Sequence, residues 1–327
     1  MDFYRILDVM VICAPVFGII GIGKLLGVRG TLNEDRRHFL NWLVYYFALP
    51  ALIFGEIAKQ EFSSIARPAL LIAPMAAIAP VVLAYVLLAR MQKYRGGFAA
   101  SFVFGTFWAN TAYVGFPLAS NAFGQEGLAS AAIYNIVAIP VFISLGYALI
   151  AAYGTGSESR RSRIWQALLN PIIIAALLGV AVSYLAEFLR APDGPLDVPG
   201  WADGVLKLAG SFLTLMGNMG LPLALLAIGA SLRLSRFARH WGAAAATTAG
   251  KLVVLPLAAL ALLAIFFPEA DAMTKAMAVL MAAMPVSVSS FVISRQAGMD
   301  DDLVPSLLVL SHAAAAVTIT VWLYLVL

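Results

Sequence analysis

Apolar residues run along this chain in long, nearly unbroken stretches, separated by short polar joints rather than by turn-rich loops. The stretches fall at 8–28, 36–58, 68–91, 97–123, 127–153, 164–190, 204–230, 242–267, 272–297 and 301–326. At 1.5 Å rise per residue each is long enough to cross roughly 30 Å of hydrocarbon. The pattern therefore predicts an all-α integral membrane protein with ten transmembrane helices. Two stretches differ from the rest because each carries a proline amid small polar residues: Asn110 to Pro117 (NTAYVGFP) in the fourth and Met284 to Phe291 (MPVSVSSF) in the ninth. Within a bilayer an interrupted helix is tolerated only where protein or water satisfies the freed backbone groups, so a matched pair of interruptions marks a candidate substrate site.

Composition agrees with a lipid solvent: 62% of the 327 residues are hydrophobic, 12% are charged, and the mean hydropathy is +0.91. The first stretch follows Asp2, Arg5 and Asp8 and has no small-residue exit, which argues against a cleaved signal peptide. Lys and Arg set the expected orientation. Fourteen fall in the odd-numbered joints, among them Lys24, Arg90, Arg160, Arg233 and Arg295, against six in the even joints and tails. By the positive-inside rule both termini then lie on the outer face of a plasma membrane. A net charge of +4 distributed as membrane-flanking clusters does not describe a nucleic-acid surface. The one cysteine, Cys13, excludes an intramolecular disulfide and a thiolate cluster.

The polar segment 154–163 divides the chain into a first five-helix repeat, 1–153, and a second, 164–327. An odd number of spans inverts the second half relative to the first. Landmarks recur: Pro15 against Pro171, Leu49-Pro50 against Leu221-Pro222, and Ser120 to Gly124 against Ser294 to Gly298. Inverted halves bring the interrupted fourth and ninth helices face to face, where free amide ends offer partial positive charge to an anion without a buried arginine.

N-T-x-x-x-G-x-P in the fourth stretch, M-P in the ninth and L-P in the second and seventh resemble the auxin efflux carrier family, along essentially the whole chain. The resemblance is to the compact bacterial members, some of them malonate or other organic-acid permeases, since the long cytoplasmic loop of many plant exporters is missing. It implies a fold similar to bile-acid symporters and sodium/proton antiporters, with crossed broken helices 4 and 9, an elevator-type mechanism for a small organic anion such as a dicarboxylate or auxin-like acid, and a homodimer. It places Asn110 and Pro117 at the fourth-helix crossover and Pro285 with Val286 to Ser290 at the ninth. Plant members carry a proline where this chain has Ser290-Phe291, so the ninth break falls either at Pro285 or at the serines.

The candidate substrate-binding residues are Asn110, Thr111, Tyr113, Gly115, Pro117, Pro285, Ser287, Ser289 and Ser290. Asn110 offers an amide donor pair to a carboxylate, and the hydroxyls add further donors. Hydroxyls in membrane helices also bond neighbouring helices or their own backbone, and prolines also make simple kinks. Three ionisable residues are candidates for ion coupling or charge compensation. Lys251 either neutralises an anion, pairs with a carboxylate or snorkels to the surface. His312 is either a proton relay or a packing residue, and Glu56 is either a titrating carboxylate or an interfacial one. No Walker loop, HExxH, or GxSxG with partners is present, the three histidines are scattered, and neither enzyme, cofactor nor metal site is expected. With no nucleotide domain, transport would draw on a proton, sodium or substrate gradient. A channel or membrane-embedded receptor on the same helices is the alternative; it calls for a continuous polar stripe, whereas polarity here gathers at two points.

Overall fold

A computed structural model describes residues 3–59, 67–153, 171–189, 200–232, 240–287, 289–290, 299–300 and 302–326, with backbone alone at 3–13, 147, 187–189 and 200–203. Helices form the described residues, with no strand among them beyond a single isolated bridge. In chain order they are α1 (Phe3–Val28), α2 (Glu34–Ala58), α3 (Pro68–Met91), α4 (Gly96–Phe104), α5 (Thr111–Ala152), α6 (Pro171–Leu189), α7 (Gly200–Ser231), α8 (Trp241–Phe266), α9 (Ala272–Ala282) and α10 (Leu303–Val326).

Six of these are long and apolar enough to cross a membrane: α2, α3, α5, the 204–231 part of α7, α8 and α10. The sequence pattern anticipates ten spans. Shorter apolar helices occupy the first, sixth and ninth of them, the fourth is interrupted, and the expected linker 154–163 and the second copy of the Ser-to-Gly landmark lie outside the described residues. Large apolar side chains such as Trp42, Leu83, Leu208, Ile265 and Val317 face outward, as a lipid solvent requires.

Local sequence explains the departures from regular helix. The long element α5 is two helices joined at Gly124, whose φ of +61° and ψ of −147° are accessible essentially to glycine alone. Three π-helical turns, Val44–Ala48, Thr111–Gly115 and Gly250–Val254, each end two residues before a proline: Pro50, Pro117 and Pro256. A proline lacks an N–H and collides with the carbonyl four residues back, so the preceding turn widens to move that carbonyl aside. For Pro256 the displaced carbonyl is that of Leu252, and the Trp322 indole on α10 donates to it at 2.8 Å. The repeat landmarks are not equivalent here, because Pro222 lies inside α7 with no such turn.

Packing separates two groups of helices. Helix α1 lies on α7, and α2 lies on α6 and α7. Small residues allow these approaches: a Cβ on Gly229 would come to 1.9 Å of the Ile20 carbonyl, and one on Gly217 to 2.8 Å of the Leu52 backbone. Helices α3, α8 and α9 pack mutually in the second group, and α10 joins it through α8 and α9 while also lying against α1.

Candidate functional site

Helix α4 stops at Phe104, residues 105–110 are non-helical, and the chain re-enters helix at Thr111. On the other side α9 stops at Ala282, the chain is non-helical from Ala283 through Ser287, and helical backbone returns at Ser289 and Ser290. The two non-helical pieces meet at one antiparallel bridge, Ala109 opposite Val286. The Asn110 amide donates to the Pro285 carbonyl at 2.8 Å, and the Ser287 amide donates to the Trp108 carbonyl at 3.0 Å. Each break thereby satisfies backbone groups freed by the other, which is the condition for irregular backbone inside an apolar protein.

The locations of the breaks refine the sequence reading. Pro117 widens a turn but does not stop the helix; the interruption is at 105–110, ending with Asn110. In the ninth stretch the interruption includes both Pro285, whose ring biases Met284 away from helix, and Ser287. Gly105 ends α4 where a Cβ would stand 2.7 Å from Leu307 Cδ1 and from Thr247 Cγ2.

Side chains then gather around the bridge. Asn110 is buried, with Nδ2 3.4 Å from Nε2 of His312 on α10. His312 Nδ1 donates to the Leu308 carbonyl at 2.8 Å, which leaves Nε2 to accept from the Asn110 amide. Ser287 and Ser289 are linked by their hydroxyls at 2.9 Å, and the Trp108 indole donates to Ser289 Oγ at 3.1 Å. The Val286 amide donates to Ser311 Oγ at 3.2 Å. Ser290 is buried, and its hydroxyl has no partner among the described residues.

Other candidate residues point elsewhere. Thr111 donates to Asn135 Oδ1 at 2.5 Å, and Asn135 in turn donates to the Ala131 carbonyl at 2.8 Å. Gly115 lets Met281 and Met284 approach, since a Cβ there would lie 3.3 Å from Met281 Cε. Tyr113 is half-buried against the apolar core. Pro117 and Glu56 border a separate cleft of about 420 Å³ between α1, α2, α5 and α7.

Lys251 does not snorkel. It is fully buried in the π turn of α8, and its Nζ donates at 2.5 Å to the carbonyl of Ala282, the last residue of α9. A cation there complements the negative end of the interrupted helix. Among the described residues no carboxylate pairs with it.

The sequence reading missed Trp108, Asn135 and Ser311. Asn135 carried a usable signal, a lone carboxamide within an apolar span; Trp108 and Ser311 look like ordinary neighbours of Asn110 and His312 until the two breaks are brought together. No group of three or more His, Cys, Asp or Glu residues able to hold a metal occurs among the described residues.

Multiple apolar helices around two mutually bonded breaks describe a multi-pass membrane protein. The chain belongs to the family of membrane transport proteins whose model matches residues 8–323, the auxin efflux carrier family that its motifs resemble. It is similar to an "Uncharacterized transporter" of Methanothermobacter thermautotrophicus, 27% identical over 310 residues, covering 94% of this chain and 95% of that one. It is also similar to an "Uncharacterized transporter" of Methanocaldococcus jannaschii, 23% identical with 97% of each chain covered. A third relative, described as a "Putative malonate transporter" of Rhizobium meliloti, is 24% identical over 95% of this chain and 94% of its own length.

Proposed function

We propose that this protein is a secondary active transporter of a small organic anion, which binds where the two broken helices cross. The observation that carries this reading is the pair of bonds joining Asn110 to Pro285 and Ser287 to Trp108. They hold the helix starts at Thr111 and Ser289 together beside the Asn110 side-chain amide, and helix N-termini attract a carboxylate. Asn110 with Ser287 and Ser289 supplies donors, and Lys251 offsets the negative end of α9. Helices α1, α2, α6 and α7 form the scaffold in this reading, and the crossing moves against it with α3, α8, α9 and α10 in an elevator-type cycle. Ten spans in two inverted sets of five, with both termini outside a plasma membrane, accommodate this division. The description of the Rhizobium relative makes malonate the first anion to test.

Counterflow of labelled malonate in proteoliposomes tests the proposal. Saturable uptake accelerated by unlabelled malonate on the opposite side is expected, since exchange through alternating access gives it and a pore does not. Asn110→Ala should abolish it with the protein still folded in the membrane. Absence of counterflow across a panel of dicarboxylates, monocarboxylates and indole acids would overturn the reading.

A further inference from the structure

The cleft beside the crossing contains one ion pair that the transport reading leaves unused. Glu56, on the last turn of α2, is 5% exposed; its Oε1 accepts from Lys59 Nζ at 3.0 Å. Its Oε2 is shut off from solvent without a hydrogen-bond partner among the described residues. A buried carboxylate oxygen without a donor is an unsatisfied polar group, and its position in the cleft wall leaves it open to a ligand-linked change. Lining the cleft with Glu56 are Asn121 and Gln125, on either side of the Gly124 joint of α5, and Thr214 and Asn218, one turn apart on α7. Thr214 Oγ1 donates to the Gly210 carbonyl of its own helix at 2.8 Å, so the side-chain amides of Asn121, Gln125 and Asn218 are the neutral donors suited to a carboxylate.

Lys59 is the one other titratable or charged group lining the cleft among the described residues. Helix α1 contributes Pro15, Val16 and Ile19. On α7 Lys207 is exposed, two turns before Thr214, and on α5 Glu126 pairs with Arg67. Helix α6, packed on α2, carries an exposed Tyr184, while the side chain of Glu187 lies outside the described residues.

We infer that this cleft is an entry site for the transported anion and that Glu56 must take up a proton for the anion to bind there. The inference rests on the transport reading. With Glu56 ionised, the pair with Lys59 carries no net charge. A proton taken from solution onto Oε2 leaves the ammonium uncompensated, so the cleft becomes a site of charge +1 and attracts a carboxylate. Proton and anion then raise each other's affinity by the same factor, as linkage demands. Pro117, in the wall of the cleft, lies six residues along the helix that begins at Thr111, roughly 9 Å from the crossing at 1.5 Å rise per residue.

The test is the KM of malonate counterflow in proteoliposomes with the membrane potential clamped, over a pH range in which malonate stays a dianion. For the wild type, KM should rise as pH rises, by up to about tenfold per pH unit, the limit for one proton per anion. Glu56→Gln, which mimics the protonated carboxyl, should show a KM independent of pH and should lose accumulation driven by a pH gradient. Should Glu56→Gln fail to reach the membrane, Lys59→Gln serves, because it removes the positive charge and should raise KM on the acid side. Unaltered pH dependence in Glu56→Gln, an unchanged KM in Lys59→Gln, or wild-type accumulation driven by sodium instead of protons would overturn the inference. Each of these leaves wild-type counterflow intact, whereas failure of the transport reading removes counterflow itself.

Discussion

Nε2 of His312 stands 3.4 Å from Nδ2 of Asn110, and the same ring donates through Nδ1 to its own helix at Leu308. The ring is therefore held as one tautomer, with its free lone pair directed at the amide of the fourth-stretch break. Added at Nε2, a proton would set a donor against a donor, so the geometry favours His312 as a positioning residue over a proton relay. His312→Gln retains a side-chain acceptor, whereas His312→Ala removes it. We expect His312→Ala to raise the KM for malonate by about tenfold, corresponding to one lost buried hydrogen bond, with His312→Gln recovering part of it. Equal KM values for the three proteins would sever the link to Asn110.

Lys251 makes a different prediction because its role is tied to a helix end. Lys251→Met keeps the approximate volume and removes the donor, leaving the Ala282 carbonyl buried and unbonded. A cost of about 1–3 kcal/mol is expected, read as a lower apparent melting temperature in detergent. Lys251→Met with undiminished stability would show that the α9 terminus needs no cation.

How much of this was legible in the sequence depends on whether the cause is local. Prolines amid small polar residues marked both breaks, because Pro285 and its neighbours act on the adjoining backbone. Their exact positions were not legible. Residues 105–110 contain no proline, and what satisfies the backbone at Trp108 and Asn110 is a partner about 180 positions away in the chain. The π turns follow from prolines, yet the donor that meets Leu252 comes from Trp322 and cannot be read from either segment alone. The cleft was missed although Asn121 with Gln125 and Thr214 with Asn218 already formed polar pairs at helical spacing. One such pair reads as a solvated stripe until packing faces it with another.

Asp271 caps α9 and links its stability to acidity. Its Oδ1 accepts from the Thr274 amide at 2.8 Å and its Oδ2 from the Thr274 hydroxyl at 2.6 Å. Partial burial pushes its carboxyl up, but the Thr274 hydroxyl and amide bonds and the Arg67 charge outweigh that and hold it below the usual 3.8. A depressed carboxyl contributes stability that is fully present above its unfolded value and is lost as pH falls through the lower, folded one. Acid melts should therefore show wild type losing stability across that window, whereas Asp271→Asn, a cap without an ionisable group, should lack this component. Identical acid profiles would contradict the assignment. At neutral pH Asp271→Ala should cost about 1 kcal/mol, the usual value of an N-cap.

Trp322 and Pro256 supply a cycle in which one change corrects another. Pro256 withholds the N–H that would otherwise bond Leu252, and the Trp322 indole replaces it at 2.8 Å. Trp322→Phe keeps an aromatic ring and leaves that buried carbonyl without its donor, at an expected cost of about 1–3 kcal/mol. Pro256→Ala restores a backbone N–H, lets the π turn at Gly250–Val254 relax toward regular helix and removes the demand on the indole. In the Pro256→Ala background Trp322→Phe should therefore cost less, with a coupling of about 1 kcal/mol between the two positions. Thermal melts of the four proteins measure that coupling. Strict additivity would mean that the indole and the proline act independently, and the explanation of the π turn given for α8 would fail with it.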